Sequence, residues 1–202
     1  MSIGTAPRLY AKSLVARFVS NPIARLLVAL HISANAITLA GFAVAAVGAY
    51  FIADGDLLIG GVVMLAGAAL DLLDGAVARL TGTANRFGAF LDSVVDRLGE
   101  AVVLFGLLAF YVRDGHTLGA YLAVGALVMS IMVSYARARA EGLGVEGDVG
   151  VMGRPERVVV LGAGLIVGFP LYALGLILVV AGITVVQRTV HVWRSTRELP
   201  EA

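Results

Sequence analysis

The sequence predicts an all-α integral membrane protein, with six transmembrane helices preceded by an N-terminal amphipathic helix lying in the membrane interface. Three observations predict this class. Of the 202 residues, 59% are hydrophobic and only 14% charged, which is too apolar for an ordinary soluble domain of this length. The apolar residues form long runs separated by short charged stretches, and a span needs roughly 20 mostly apolar residues to cross the hydrocarbon. The basic residues gather at alternate ends of those runs, as the positive-inside rule requires of a chain that crosses repeatedly. A single domain over 1–202 follows, with about 5–30 as the interfacial helix and about 31–195 as the six-helix core.

At the N-terminus, Leu9, Tyr10, Leu14, Val15 and Phe18 recur at helical spacing, the pattern of a helix lying in the headgroup boundary. Arg8, Lys12 and Arg17 are scattered among them instead of preceding a clean apolar core, so the segment does not read as a signal peptide. The spans are expected at about 35–53, 57–80, 87–112, 117–138, 155–169 and 171–193. The last two could be misread as one helix, because residues 158–187 carry no charge, but Gly168, Phe169 and Pro170 supply a break. Arg154 and Arg157 precede this stretch and Arg188, Arg194 and Arg197 follow it, so two crossings keep both clusters on the cytoplasmic side. The 54–56 turn then faces outward with two aspartates, and Arg113 faces outward beside Asp114.

Of the 15 basic residues only Lys12 is a lysine. Arginine's planar fork suits phosphate. The absence of cysteine excludes disulfides and thiolate metal sites, and His31, His116 and His191 lie too far apart for a local zinc motif. Most of the 25 glycines fall where small residues let membrane helices approach closely.

The chemistry is concentrated in DLLDGAVARLTGTANRFGAFLDSVVDR, residues 71–97. One uncompensated aspartate at a span's centre costs about 2.5–3.5 kcal/mol even on the lenient insertion scale, so Asp71, Asp74, Asp92 and Asp96 must have partners. Asp71, Asp74 and Ala78 share one helix face, and Gly88, Asp92 and Asp96 share another. With the turn near 81–86, antiparallel pairing sets Asp71 level with Asp96 and Asp74 level with Asp92. Nearby bases are few, namely Arg79, Arg86 and Arg97. Two divalent cations would neutralise the four charges, and all-oxygen ligands select magnesium first, with manganese the alternative. Gly75 and Gly88 remove side chains beside the carboxylates and leave space for a large ligand. An anionic diphosphate fits that space, with Arg79 as a charged donor. A proton or ion pathway is the competing reading, since it also needs intramembrane carboxylates, but it gives no reason for the two glycines and the arginine.

The spacing Asp-x2-Asp-Gly-x2-Ala-Arg-x8-Gly-x3-Asp-x3-Asp, met by Asp71, Asp74, Gly75, Ala78, Arg79, Gly88, Asp92 and Asp96, resembles the CDP-alcohol phosphatidyltransferase family. The resemblance implies that an acceptor hydroxyl displaces CMP from a CDP-activated lipid, with Asp96 as general base. It implies that Asp71, Asp74, Asp92 and Asp96 hold two metals. It also implies that Asn35, Ala36, Ile37, Thr38, Gly75, Arg79 and Asn85, beside Gly88, surround the cytidine diphosphate. A homodimer in the cell membrane, with its active site opening to the cytoplasm, comes with the family, and no nucleic-acid partner is expected.

The acceptor is suggested by arginines at the ends of later helices, in SYARARAEG, RPERV and VVQR. Such residues can be topology anchors, or they can bind an acceptor that carries its own phosphate. Their combination resembles the bacterial and archaeal branch that uses inositol 1-phosphate. On that resemblance Ser134, Arg137, Arg157 and Arg188 cradle the acceptor phosphate. The donor implied is CDP-diacylglycerol or its ether-linked CDP-archaeol counterpart, and glycerol 3-phosphate is the alternative acceptor.

Overall fold

Long apolar runs closed by helix-stopping turns give a structure of helices and short connections. The computed structural model describes residues 21–197, so most of the expected interfacial helix, residues 5–20, lies outside the described residues. Among the described residues there are seven α-helices and no strand: α1 Asn21–Ala29, α2 Ala34–Asp54, α3 Leu57–Thr81, α4 Arg86–Arg113, α5 Thr117–Glu141, α6 Arg154–Ile166 and α7 Pro170–Arg197. Each of the six expected segments is a helix. Four of them, α2, α3, α5 and α7, are long and apolar enough to cross a membrane. The other two differ for physical reasons. Helix α4 has the length, but Arg86, Asp92, Asp96, Arg97 and Glu100 crowd its stretch from 86 to 100. Helix α6 has 13 residues, about 20 Å at 1.5 Å per residue, against a hydrocarbon core of about 30 Å.

The turns stop where the sequence says they should. Helix α6 closes with Phe169 N–H donating to Gly164 O at 2.7 Å and Gly168 N–H to Leu165 O at 3.2 Å, the paired bonds of a Schellman cap. Gly168 has φ +78°, a left-handed conformation that favours glycine, and Pro170 then opens α7. The turn after α3 is built the same way, with Thr83 N–H donating to Ala78 O at 3.0 Å and Gly82 at φ +65°. This turn brings the chain back over itself, so that Asp74 of α3 and Asp92 of α4 line a common cavity.

The chain divides into two compact units. The first comprises the N-terminal part through Ala45 together with Ala66–Gly99. Its core is Ala24, Ile37, Leu73, Ala76 and Val77, flanked by Leu27, Val28 and Leu70. Helix α1 therefore packs one face on α2 and α3 and leaves Ile23 and Leu26 exposed, as is Leu30 just past its end. Helices α2 and α3 approach backbone to backbone within this unit: a methyl group on Gly67 would lie 2.9 Å from Gly41 O and 3.1 Å from Ala45 N.

The second unit comprises Ala46–Leu65 and the chain from Glu100 onward. Helices α5 and α6 both pack on α7, and Leu104, Leu107, Ala126, Leu165, Leu174 and Ile177 are buried in this unit. Arg113 reaches across to the 54–56 turn, donating to Asp54 O at 2.6 Å with its guanidinium 3.5 Å from the Asp54 carboxylate. The outer loops expected to share one side are thus joined.

Since Gly67 meets backbone on two sides, Gly67→Val should force α2 and α3 apart and cost about 1–3 kcal/mol. A lowered midpoint of thermal unfolding in detergent is the expected result; an unchanged midpoint would mean that the approach is not tight.

Candidate active site

Three helix ends of the first unit converge on one cavity of about 360 Å³. The start of α2 contributes Ser33, Ala34, Asn35 and Thr38, and the end of α3 contributes Asp74, Gly75, Ala78 and Arg79. The following turn and the start of α4 contribute Thr83, Ala84, Asn85, Gly88, Ala89 and Asp92. Two of these ends are helix N-termini, whose unpaired N–H groups and dipole favour an anion. Ser33 Oγ accepts from Ala36 N–H at 3.3 Å and caps α2, while Asn85 Oδ1 accepts from Gly88 N–H at 2.8 Å and caps α4.

The two glycines of the motif have the expected effect on space. A methyl group on Gly75 would lie 3.3 Å from Arg79 Nη1, within reach of the one arginine that lines the cavity. One on Gly88 would lie 3.6 Å from Asn85 Oδ1 and 3.7 Å from Asn35 Oδ1, so both asparagines border the space that Gly88 leaves clear. Asn85 also donates from Nδ2 to Thr83 O at 2.9 Å, so its amide shapes the turn as well as bordering the cavity. Of the segment 35–38 only Asn35 and Thr38 line the cavity; Ile37 is 4% exposed and belongs to the core, and Ala36 faces away.

Each aspartate has a distinct setting. Asp74 is buried, and its Oδ2 accepts from Thr38 Oγ1 at 2.7 Å while Oδ1 accepts from Gly75 N–H. Asp92 shares the cavity wall with it, and the charges of Asp92 and Asp71 both act on Asp74. Asp71 occupies room left by Gly41, where a methyl group would come within 2.6 Å of its carboxylate. Asp96 is half-buried and lies outside the cavity lining. Sequence reasoning missed the parts of Thr38 and Gly41 in holding these carboxylates. The signal lay in their place on α2, a helix that the 71–97 motif does not include.

Among the described residues, no three carboxylate or imidazole groups already stand in a closed metal-ligand arrangement. The donor chemistry nonetheless fits hard divalent cations. Four carboxylates lie on the two helices flanking one turn, and Arg97 spends a donor on Ser93 O at 2.6 Å. All-oxygen ligands of this charge suit magnesium or manganese.

The second unit gathers the later arginines. Arg157 is 1% exposed and makes a two-pronged bond to Glu100, Nε to Oε1 at 2.6 Å and Nη2 to Oε2 at 2.7 Å. Arg188 is buried, with Nε donating to Val149 O at 2.8 Å and Nη1 to Val133 O. Arg137 is exposed and pairs with Glu141 at 2.8 Å and Asp148 at 3.4 Å. The charges of Arg137 and Arg157 both act on Arg188, so the three form one electrostatic group. Ser134 is half-buried on α5, one turn before Ala138. Arg157 and Arg188 are therefore not water-facing charges of the kind that merely set topology. Sequence reasoning missed Glu100, although it continues the 92, 96, 100 periodicity of one helix face.

The chain is similar to several characterised proteins. Residues 31–193 match the profile of the family described as CDP-alcohol phosphatidyltransferase. The archaetidylinositol phosphate synthase of Methanothermobacter thermautotrophicus is 38% identical over 171 residues, covering 82% of this chain and 85% of that one. A crystal structure of Mycobacterium tuberculosis phosphatidylinositol phosphate synthase in complex with manganese and citrate superposes with a TM-score of 0.84 at 32% identity, covering 91% of this chain and 94% of that one. The same enzyme with CDP-DAG bound gives a TM-score of 0.82 at 33% identity, covering 91% and 98%.

The Thr38 bond to Asp74 generates a test. Groups that orient a metal-binding carboxylate are worth roughly tenfold or more in affinity. Thr38→Val should therefore raise the magnesium concentration needed for half-maximal thermal stabilisation by about tenfold. An unchanged midpoint would show that the hydroxyl does not orient Asp74 for a cation.

Proposed function

The chain belongs to the CDP-alcohol phosphatidyltransferase family, and we propose that it transfers the phosphatidyl group of CDP-diacylglycerol to inositol 1-phosphate, releasing CMP and forming phosphatidylinositol phosphate. The observation that carries this reading is the cavity of the first unit, where two helix N-termini, Arg79 and the aspartates of the family motif meet. An anion stabilised by N–H groups and an arginine, next to carboxylates that themselves demand cations, describes a metal-bound diphosphate.

In this reading Asn35, Thr38, Gly75, Arg79, Asn85 and Gly88 receive the cytidine diphosphate, with Ala36 and Ile37 contributing only backbone. Asp71, Asp74, Asp92 and Asp96 would hold two divalent cations, magnesium or alternatively manganese. When bound, these would neutralise the carboxylates and make the lipid-linked phosphorus more electrophilic. Asp96 takes the proton from the attacking inositol hydroxyl. A new bond forms between that oxygen and the lipid-linked phosphorus, the phosphorus–oxygen bond to CMP breaks, and CMP leaves with the electron pair. No covalent enzyme intermediate is needed.

The acceptor assignment rests on the second unit, where Arg137, Arg157 and Arg188 form one group. Arg157 has Glu100 as its anion, whereas buried Arg188 hydrogen-bonds to two backbone carbonyls; an acceptor phosphate, with Ser134 as a further donor, would bring a charged partner to Arg188 that a free alcohol would not. The similarity to an archaetidylinositol phosphate synthase supports a second donor, CDP-archaeol, on the same acceptor logic. We further propose that α4 and α6 cross the membrane within the helix bundle, which makes six crossings with the charges of α4 turned inward. The site opens to the cytoplasm of a multi-pass cell-membrane protein, and the protein works as a homodimer.

CMP release by purified protein with CDP-diacylglycerol and magnesium tests the reading. Inositol 1-phosphate should stimulate release, glycerol 3-phosphate and free inositol should not, and EDTA should abolish it. Stimulation by glycerol 3-phosphate alone would overturn the acceptor, and release only from CDP-archaeol would overturn the donor. Asp96→Asn should lower turnover by at least about a hundredfold while donor binding persists, in the range typical of general-base loss. Near wild-type turnover would remove Asp96 from that role.

A further inference from the structure

Glu100 is the buried acid for which the proposed reaction has so far given no use. Its side chain is 7% exposed, and its carboxylate holds Arg157 through two bonds of 2.6 and 2.7 Å. A two-pronged bond fixes the plane of a guanidinium, which a single bond does not. The third nitrogen, Nη1, is buried and has no hydrogen-bond partner among the described residues. A buried donor left unmade is costly, so such a group calls for a ligand.

We propose that Glu100 is a positioning residue for the acceptor: it clamps Arg157 so that Nη1 is aimed at the phosphate of the incoming phosphorylated alcohol. This rests on the reading of Arg157 as part of the acceptor-phosphate site. Glu100 does not touch substrate in this scheme; it acts through Arg157.

Charge makes the proposal separable from its alternatives. Arg137, Arg157 and Arg188 are opposed by Glu100, Glu141 and Asp148. If Glu100 only balanced charge, removing its negative charge would leave the group more positive and would strengthen its attraction for a phosphate. If it positions Arg157, removing it must weaken acceptor binding in spite of that gain. The two roles predict opposite signs.

The test is steady-state kinetics of the full-length protein in detergent, with inositol 1-phosphate and CDP-diacylglycerol varied separately. Glu100→Gln should raise the KM for inositol 1-phosphate by roughly tenfold, the loss expected when a charge-assisted bond goes. The KM for the CDP-lipid should stay unchanged, and kcat at saturating acceptor should stay within about threefold. Glu100→Asp, which keeps the carboxylate on a shorter stem, should fall between wild type and Glu100→Gln. An unchanged or lowered acceptor KM in Glu100→Gln overturns the proposal, as does a parallel rise for both substrates. If Glu100→Gln does not fold, Glu100→Asp decides alone, a raised acceptor KM supporting the clamp and an unchanged one overturning it. Arg137→Gln, at an exposed position, distinguishes the underlying reading. If it raises the acceptor KM while the Glu100 variants do not, only the clamp fails. If neither moves the acceptor KM, the acceptor-phosphate site itself fails.

Discussion

Carboxylates placed on apolar helices govern this structure. An ionised aspartate or glutamate in such surroundings is tolerated only with partners, and the two units supply them differently. In the first, Asp74 is held by a threonine hydroxyl and one backbone N–H, and Asp71 has the clearance left by glycine at position 41. Both groups bonded to Asp74 are neutral dipoles, and Asp74 lines an open cavity. In the second, Glu100 is matched by a full guanidinium, and no net charge remains on that pair. One arrangement holds its acid with neutral dipoles; the other pairs its acid with a base.

The same contrast separates what could be read from the sequence from what could not. The 81–86 turn and the break before Pro170 were legible because glycine and proline act locally, through φ angles that no distant residue can change. The meeting of Asp74 and Asp92 at one cavity was legible because helical periodicity and one short turn determine it. Glu100 with Arg157 was not, since the partners lie 57 positions apart and each separately looks like a generic helix charge. Ile37 falls inside a segment expected to meet the nucleotide, yet packing turned it into the core, because adjacent residues on a helix point about 100° apart. The span expected at 155–169 was already short and its start differs from that of α6 by one residue; its end was expected three residues late, because Gly168 and Pro170 mark the break but not where the helix before it stops.

The preference for arginine over lysine takes on a structural meaning here. Arg157 and Arg188 are both buried, and both use the fork of the guanidinium to satisfy two acceptors at once. An ammonium group could carry the charge but could not reproduce these parallel bonds.

Arg188 also fastens a loop. It holds Val149 O, while Gln187 Oε1 accepts from Val151 N–H and Thr184 Oγ1 accepts from Met152 N–H. Three neighbouring residues of the connection are thus stitched to one face of α7, and Gly147 is pressed against the carbonyl of Arg137. Insertions or deletions among descendants of this sequence have little room between 147 and 152, where one added residue would shift every stitch out of phase. The exposed stretch Gly142–Gly144 carries no such attachment to α7, and surface connections of that kind tolerate changes in length. Lineages can lengthen or shorten the connection there while the stitched half, and the arginine it surrounds, is inherited intact.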